Sequence, residues 1–205
     1  MAKMNLMHSP TSPYVRKVMV MAIETGLDRK IEKRSVTTTP AAPHPDVVAR
    51  NPLAKVPSLK ADGLVLYDSP VICEYLDTRH KKKKFFPGKG KARFNALRQQ
   101  ALGDGLLDAA LLVRYELTLR EEPMRSAAWQ KAQMAKIRNA LDQMEKEAAS
   151  LKGSPTIGHV AFACALGYLD FRFPDEGWRN GHKKLAKWYD KFAQRPSMKA
   201  TVPPP

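Results

Sequence analysis

The sequence predicts two domains, a small α/β domain followed by an all-helical domain. Short strand-like runs alternate with helical patterns over residues 1–78, and strand signals are absent over residues 94–205. A basic segment containing Gly and Pro, residues 79–93, separates the two parts. A chain of 205 residues is long enough for two small domains. We therefore predict an α/β domain at 1–78, a linker at 79–93 and a helical domain at 94–205.

The start of the first part predicts a strand, a helix and a second strand. The run MNLMHS at 4–9 and the alternating run KIEKRSV at 30–36 predict the strands. Between them, residues 14–25 place apolar side chains on one helical face, and Gly26 follows as a helix stop. The proline-rich run TTTPAAPHP after the second strand predicts a loop.

The rest of the first part predicts a hairpin and a closing helix. The run VPSLKADGLVLYDS predicts two strands joined by an Asp-Gly turn. Ser69 as N-cap and Pro70 at the first helical position predict a helix start. A parallel β-α-β unit followed by an antiparallel hairpin and a helix is the layout of a thioredoxin-like fold.

The second part predicts helices only. Apolar residues recur at helical spacing in two long segments, through Leu102, Leu106, Ala109 and Val113 and then through Met134, Ile137, Leu141, Met144 and Ala148. The segment SPTIGHVAFACALGYLDFRF is apolar nearly all round and predicts a buried central helix, and KKLAKWYDKFAQRP predicts an amphipathic last helix. These stripes indicate helical packing and contain no cofactor motif.

Two cysteines limit the possible chemistry. Cys73 and Cys164 are far apart and share no ligand spacing, which argues against a disulfide framework and against a zinc site. We expect both to be buried structural thiols and expect no metal. No apolar run approaches the length of a signal peptide or membrane span, so the expected location is cytoplasmic, without a membrane partner.

The net charge of +15 is concentrated in one place. Residues 79–93 contain eight basic residues and no acidic one. Nucleic-acid-binding domains usually spread basic side chains over a face and interleave aromatic residues. We therefore interpret this segment as a solvated linker and do not expect nucleic acid as a partner. A polyanion or membrane-surface contact is the alternative, and binding to a polyanion would weaken steeply in salt.

Pro57 stands in the middle of the strand-like run NPLAKVPSL. Proline has no N–H for a sheet ladder, so it belongs at an edge or an interruption. A cis bond before Pro57 would turn the N–H and C=O of Val56 outward, where an extended peptide could pair with them. The alternative is a trans proline at a sheet edge.

The motifs SPTSPYVRKV, NPLAKVPSL and DSPVICEYLD, in this order before a helical second half, resemble the glutathione transferase family. The similarity covers nearly the whole chain, including GYLDFR and WYDKFAQRPS, and is strongest to bacterial members with an active-site serine. The resemblance implies glutathione as co-substrate, a small hydrophobic electrophile and a homodimer. Neither cysteine lies in the first motif, which argues against disulfide exchange through an enzyme thiol.

The resemblance also implies a glutathione-binding set. Ser69 and its neighbouring amides would hold the γ-glutamyl carboxylate, and Asp68 would pair with the α-amino group. Val56, before Pro57, would pair with the peptide backbone. Lys55 is a candidate partner for the glycine carboxylate, with a merely solvated lysine as the alternative.

The chemistry requires a hydroxyl that keeps the thiol ionised. Ser9, Thr11 and Ser12 all precede the first helix. In serine-type members of the family the serine stands just ahead of the first helix in a Ser-Pro-aromatic context. The resemblance therefore favours Ser12 as the catalytic residue, with Ser9 as second choice. Ser12 as a plain helix cap is the alternative. For the electrophile, topology alone indicates lining by Tyr14, Leu106, Ala110 and Tyr115.

One departure from the family pattern concerns the central helix of the second part. Family members usually have Ser/Thr-x-x-Asp at its start, whereas here Thr156 is followed by His159. Neutral histidine is a poorer reciprocal acceptor than a carboxylate, so we expect a weaker cap. Three functions are then compared. The first is an enzyme in which the glutathione thiolate attacks an electrophile or reduces a peroxide, the second is a binding module without turnover, and the third is a polyanion-binding protein.

Overall fold

A computed structural model describes residues 3–204. The chain forms two compact units. Unit 1 comprises the residues up to Pro87 together with those from Arg195 onward, and unit 2 comprises Gly88–Gln194. The expectation that 1–78 and 94–205 are separate domains joined by a linker stays a prediction. Among the described residues, no helix has both the length and the apolar character needed to cross a membrane.

Unit 1 is built on a four-stranded mixed sheet. The strands are β1 (Met4–His8), β2 (Ile31–Ser35), β3 (Ser58–Ala61) and β4 (Leu64–Leu66), in the order β2-β1-β3-β4. β1 pairs in parallel with β2 and antiparallel with β3, which pairs antiparallel with β4. Asp62 and Gly63 join β3 to β4 with φ of 47° and 78°, as a two-residue hairpin turn requires. The predicted thioredoxin-like fold class is confirmed.

Three helices complete the first stretch of unit 1: α1 (Pro13–Thr25), α2 (Pro45–Val48) and α3 (Ser69–Thr78). α1 ends where Gly26 was expected to stop it, in a left-handed conformation with φ of 76°. The short helix α2 begins at Pro45, the last residue of the predicted loop, and sequence analysis missed it. Its N-cap is His44, whose Nδ1 accepts the N–H of Asp46 at 3.1 Å.

The predicted N-cap of α3 is wrong by one residue. The carbonyl of Asp68 accepts the first helical hydrogen bond, from the N–H of Ile72 at 3.1 Å. Asp68 is therefore the N-cap, and Ser69 is the first helical residue, followed by Pro70. Asp68 and Ser69 are both residue types that cap helices. Only the hydrogen bond from Ile72 to the carbonyl of Asp68 shows which of them does so here.

Unit 2 contains four helices, α4 (Gly90–Leu119), α5 (Ala127–Glu147), α6 (Ile157–Arg172) and α7 (Lys183–Ala193). The predicted central helix is α6, and its residues from Ile157 to Leu169 are all buried. α4 packs closely along it: a Cβ on Gly103 would lie only 2.9 Å from the carbonyl carbon of Ala161. The helical prediction for the second part is confirmed.

His159 replaces the expected acid in the capping box of α6 and performs its role. Its Nδ1 accepts the N–H of Thr156 at 3.1 Å, and the Thr156 side chain receives the His159 backbone amide in return. Burial lowers the pKa of His159, which keeps the imidazole neutral and able to accept. Both cysteines are buried, as expected.

The end of the chain returns to unit 1 through α8 (Pro196–Lys199), which sequence analysis missed. Arg195 donates two hydrogen bonds of 2.7 Å to the carboxylate of Glu24 on α1, and the Ser197 hydroxyl donates a third at 2.6 Å. A further hydrogen bond runs from Arg16 of α1 to the carbonyl of Met198 in α8, at 3.2 Å. These contacts fasten the chain end to α1.

This contact makes unit 1 sensitive to acid. Burial by itself would raise the pKa of Glu24, but the hydrogen bonds from Arg195 and Ser197 and the Arg195 charge outweigh it and lower that pKa. A lowered folded-state pKa gives stability that is complete above the unfolded-state value of 4.5 and lost as the pH falls through the folded-state value. We expect Glu24→Gln to cost about 1–2 kcal/mol of unfolding free energy at pH 7 and less below pH 4. Denaturant unfolding at both pH values measures this, and a pH-independent difference would contradict it.

The basic segment folds back onto unit 1. Asp77 of α3 is buried, and its carboxylate accepts the N–H groups of Phe85 and Phe86 at 2.9 and 3.0 Å. Both aromatic side chains are buried. Lys82 donates to the carbonyl of Glu24 at 3.0 Å, and Lys84 donates to the carbonyl of Asp77 at the end of α3. Two lysines of this segment thus bond carbonyls in the last turns of helices, where a positive charge is favourable.

Candidate active site

Three sequence motifs meet at one edge of the sheet. Met7 pairs with Ser58, so the end of β1 lies beside the start of β3. Leu59 pairs with Leu66, so the end of β4 lies on the other side of β3. The segments that continue from these strands are the turn before α1, the loop before β3 and the start of α3. With roughly 4.8 Å between strands, the outer two are about 10 Å apart, close to the reach of an extended tripeptide of about 10 Å.

Ser12 caps α1 and still has a proton to donate. Its Oγ accepts the N–H of Val15 at 3.3 Å, and its own N–H donates to the carbonyl of Ser9 at 3.1 Å, closing the turn. A hydroxyl has one donor hydrogen and two acceptor lone pairs. The cap uses a lone pair, and the O–H donates to no acceptor among residues 3–204. Capping and donation to a ligand are therefore compatible.

Other polar groups in and next to this turn lack hydrogen-bond partners among the described residues. Ser9 and Thr11 are half-buried, and the hydroxyl of Ser9 makes no hydrogen bond within the described chain. His8, the last residue of β1, has a buried Nδ1 without a hydrogen-bond partner among the described residues. Burial and the charge of Lys33 lower the pKa of His8, so its ring is neutral at pH 7.

The loop before β3 exposes a backbone edge at Val56. The Val56–Pro57 peptide bond is cis, as predicted. The side chain of Val56 packs against the core formed by Met7, Val36 and Val47, while Pro57 is buried. Within the described chain, the N–H and C=O of Val56 make no backbone hydrogen bond. Lys55 precedes it with an exposed side chain.

Asn51 organises this loop and was missed by sequence analysis. It is 1% exposed, its Nδ2 donates to the carbonyl of Lys55 at 2.9 Å, and its Oδ1 accepts the N–H of Leu53 at 3.0 Å. Thr38 adds a bond from its hydroxyl to the carbonyl of Ala54 at 3.3 Å. The sequence pair Asn51-Pro52 is a common turn signal. Only the structure shows that the Asn51 side chain is buried and both donates and accepts a hydrogen bond within the loop.

Replacing Asn51 by alanine is expected to lower the free energy of unfolding by about 2 kcal/mol, because two loop hydrogen bonds at a buried position are lost. Asn51→Asp keeps the acceptor for Leu53 but places an anion against the Lys55 carbonyl, and we expect it to cost at least as much. Asn139→Ala, at an exposed position in α5, is the matched control and should cost nothing. Urea unfolding measures all three, and equal stability of Asn51→Ala and wild type would contradict the assignment.

The start of α3 presents unbonded amides. Pro70 has no N–H, and the N–H groups of Ser69 and Val71 have no backbone partner in the described chain. The carboxylate of Asp68 does not cap these amides and is exposed, whereas Ser69 is 1% exposed. The Tyr67–Asp68 peptide bond is cis. Free amides at a helix start attract a carboxylate.

The residues expected to line an electrophile site differ in exposure. Leu106 and Ala110 are buried in unit 2, and Tyr115 of the same unit is half-buried. Tyr14, on α1 of unit 1, is half-buried. The structure thus brings the turn, loop and helix-start residues of unit 1 to one sheet edge, and the lining residues stay a prediction.

A thioredoxin-like sheet, with three sequence motifs at one end of its strands and a helical unit later in the chain, defines the class of protein to compare. The glutathione S-transferase N-terminal domain model matches residues 11–79, and the C-terminal domain model matches residues 127–191. The uncharacterized GST-like protein YibF of Escherichia coli (strain K12) is 31% identical, covering 98% of this chain and 99% of that protein. The chain belongs to the glutathione S-transferase family, as its motifs predicted.

Two solved structures extend the comparison. A glutathione transferase family member from Pseudomonas fluorescens Pf-5 with bound glutathione is 47% identical, with a TM-score of 0.97, covering 99% of this chain and 100% of that chain. A second structure of a family member from Pseudomonas fluorescens Pf-5 contains S-(propanoic acid)-glutathione; it is 46% identical, with a TM-score of 0.92, covering 98% and 100%. The similarity extends over both units.

Proposed function

We propose that this chain is a glutathione transferase that binds glutathione along the sheet edge of unit 1. The thiolate of glutathione attacks a small hydrophobic electrophile such as an aromatic halide, forms the carbon–sulfur bond of a glutathione conjugate and displaces the leaving group. The observation that carries the proposal is the hydrogen bonding of Ser12. Its hydroxyl oxygen caps α1 by accepting a hydrogen bond, so its O–H is available to donate to a ligand. The proposal includes Ser12, rather than Ser9, as the serine that stabilises the thiolate. It also includes a cytoplasmic homodimer.

The thiolate is the reactive species in such a transfer. A free thiol has a pKa of about 8.5, so only a small fraction is ionised at pH 7. An O–H donated to sulfur stabilises the anion more than the neutral thiol and lowers the thiol pKa. The first turn of α1 adds the positive end of a helix dipole. Both effects act at the same end of β1.

The remaining groups suit the rest of the tripeptide. The free amides of Ser69 and Val71 suit the γ-glutamyl carboxylate, and exposed Asp68 suits the α-amino group. The unpaired N–H and C=O of Val56 suit the backbone of the central cysteine, with Pro57 buried behind it. Lys55 is exposed and suits the glycine carboxylate.

The ligands of two relatives support conjugation through the sulfur of glutathione in particular. The Pseudomonas fluorescens family members were solved with glutathione and with S-(propanoic acid)-glutathione. In the second ligand the sulfur forms a thioether, which is the bond that conjugation makes. The alternative function, a glutathione-binding module without turnover, would keep the same sheet edge. Turnover separates the two.

The test titrates glutathione into the wild-type protein while following the ultraviolet absorbance of the thiolate, and then adds a generic aromatic halide. We expect saturable binding, thiolate absorbance at pH 7 and turnover. S-methylglutathione, which has no ionisable thiol, is the control and should bind without the absorbance change. Binding without turnover would establish the alternative, and absence of glutathione binding would overturn both.

A further inference from the structure

Helices α4 and α6 bring two arginines together in unit 2. Gly158 approaches the side chain of Gln99, and Gly103 approaches Ala161, so the two helices run in the same direction along each other. Arg114 lies eleven residues after Gly103, and Arg172 lies eleven residues after Ala161. Eleven residues make about three helical turns, which returns both side chains to the facing surfaces. The charge of Arg114 accordingly acts on Arg172.

Neither arginine has an acidic partner among residues 3–204. Glu116, two residues from Arg114, accepts from Arg120 at 3.0 Å and from the N–H of Ser126 at 2.7 Å. Asp170, two residues from Arg172, accepts from Arg179 at 2.5 and 2.9 Å and from Trp178 at 2.7 Å. Glu116 and Asp170, the acidic residues nearest in sequence to the two arginines, therefore bond other residues.

Arg172 also has a buried N–H group without a hydrogen-bond acceptor in the described chain. Its Nε is buried and has no hydrogen-bond partner in the described chain. Burial and repulsion from Arg114 lower the pKa of Arg172, although a guanidinium remains charged at neutral pH. Two facing cations without a counter-ion cost free energy, and a bound anion would remove that cost.

Aromatic side chains lie beside Arg172. The guanidinium of Arg172 lies over the ring of Phe171, 3.7 Å from its centroid, and the ring of Tyr168 lies 6.4 Å from that of Phe173. Burial raises the pKa of Tyr168 to about 12 although both arginines act in the opposite direction. Tyr168 is therefore a neutral phenol, whose hydroxyl makes no hydrogen bond within residues 3–204. Tyr115, beside Arg114, has a pKa raised by burial as well.

We propose that Arg114 and Arg172 form a binding site for the carboxylate of a small organic anion with an apolar or aromatic body. The two guanidiniums supply planar N–H donors that match a carboxylate. Tyr168 and Tyr115 add neutral O–H donors, and Phe171 and Phe173 supply apolar surface. The site lies within unit 2 and shares Tyr115 with the expected lining of the electrophile site, and its binding of an anion can be measured without glutathione.

The test compares benzoate with benzamide, which has the same ring and size but no charge. Calorimetric titration without glutathione is expected to show benzoate binding at least about tenfold more tightly than benzamide. Arg114→Gln and Arg172→Gln should each reduce the ratio of the two affinities to about twofold or less. Arg138→Gln, which removes one exposed charge from α5, is the matched control and should leave the ratio unchanged.

A general loss of structure would abolish binding of both ligands, so a reduced ratio counts only in a variant whose benzamide affinity stays at the wild-type value. Arg172→Lys, which keeps the charge, should retain a preference for benzoate and serves if Arg172→Gln fails to fold. Equal affinity of the wild type for the two ligands would overturn the proposal. So would a full preference for benzoate in both glutamine variants, or its loss in Arg138→Gln.

Discussion

Replacing Ser12 by glycine is expected to lower kcat/KM for the glutathione reaction by about 10²-fold at pH 7. Removing one preorganised donor from a developing or resting anion typically costs this much. Glycine is chosen because it caps a helix with a loss of only a few tenths of a kcal/mol relative to serine. The bond from Val15 to Oγ disappears, but the helix should persist. The loss then reports on the donated proton.

The pH dependence separates this role from a structural one. If the hydroxyl lowers the thiol pKa, the rate of Ser12→Gly should rise with pH along a profile displaced upward by about 1–2 units. The difference in rate between Ser12→Gly and wild type should shrink above the thiol pKa, because the thiol is then ionised without help from the Ser12 hydroxyl. Ser9→Ala is the control in the same turn and should behave as wild type. A pH-independent deficit, or a loss in Ser9→Ala but not in Ser12→Gly, would show that the hydroxyl assignment is wrong.

Replacing Asp77 by alanine is expected to lower the free energy of unfolding by about 3 kcal/mol, the largest effect on stability among the changes proposed. The carboxylate is 5% exposed and accepts the N–H groups of Phe85 and Phe86, with a third contact of 2.9 Å from Nε2 of His80. Removal leaves two buried amides without acceptors, and each costs about 1–3 kcal/mol. Both phenylalanines should lose their fixed positions.

Asp77→Asn and Asp46→Ala refine this prediction. Asparagine retains one acceptor oxygen, so we expect a loss intermediate between wild type and Asp77→Ala. Asp46, on α2, makes an exposed pair with Arg34, and its removal should change stability little. Denaturant unfolding followed by circular dichroism measures all three. Similar losses for Asp77→Ala and Asp46→Ala would contradict the role of Asp77 in fastening the basic segment.

Local signals predicted most of the fold because their causes lie within a few residues. Gly26 ends α1 since glycine adopts a positive φ without strain. Gly63 completes the hairpin turn for the same reason, after Asp62, a residue type that tolerates the left-handed region. The apolar stripes of α4, α5 and α6 required only helical periodicity. The binding edge was also predictable in outline, since Ser12, Pro57 and the start of α3 each carry a local motif.

The remaining features depend on residues far apart in sequence. Sequence alone determined the two-part architecture, the family and the segments that form the sheet edge. Only the tertiary structure decided that the chain end bonds Glu24 through Arg195 and that Asp77 anchors residues 85 and 86. It also decided that the charge of Arg114 on α4 acts on Arg172 on α6. The physical reason is that burial and the choice of hydrogen-bond partner arise from packing across elements, where a local pattern of residue types carries no distance information.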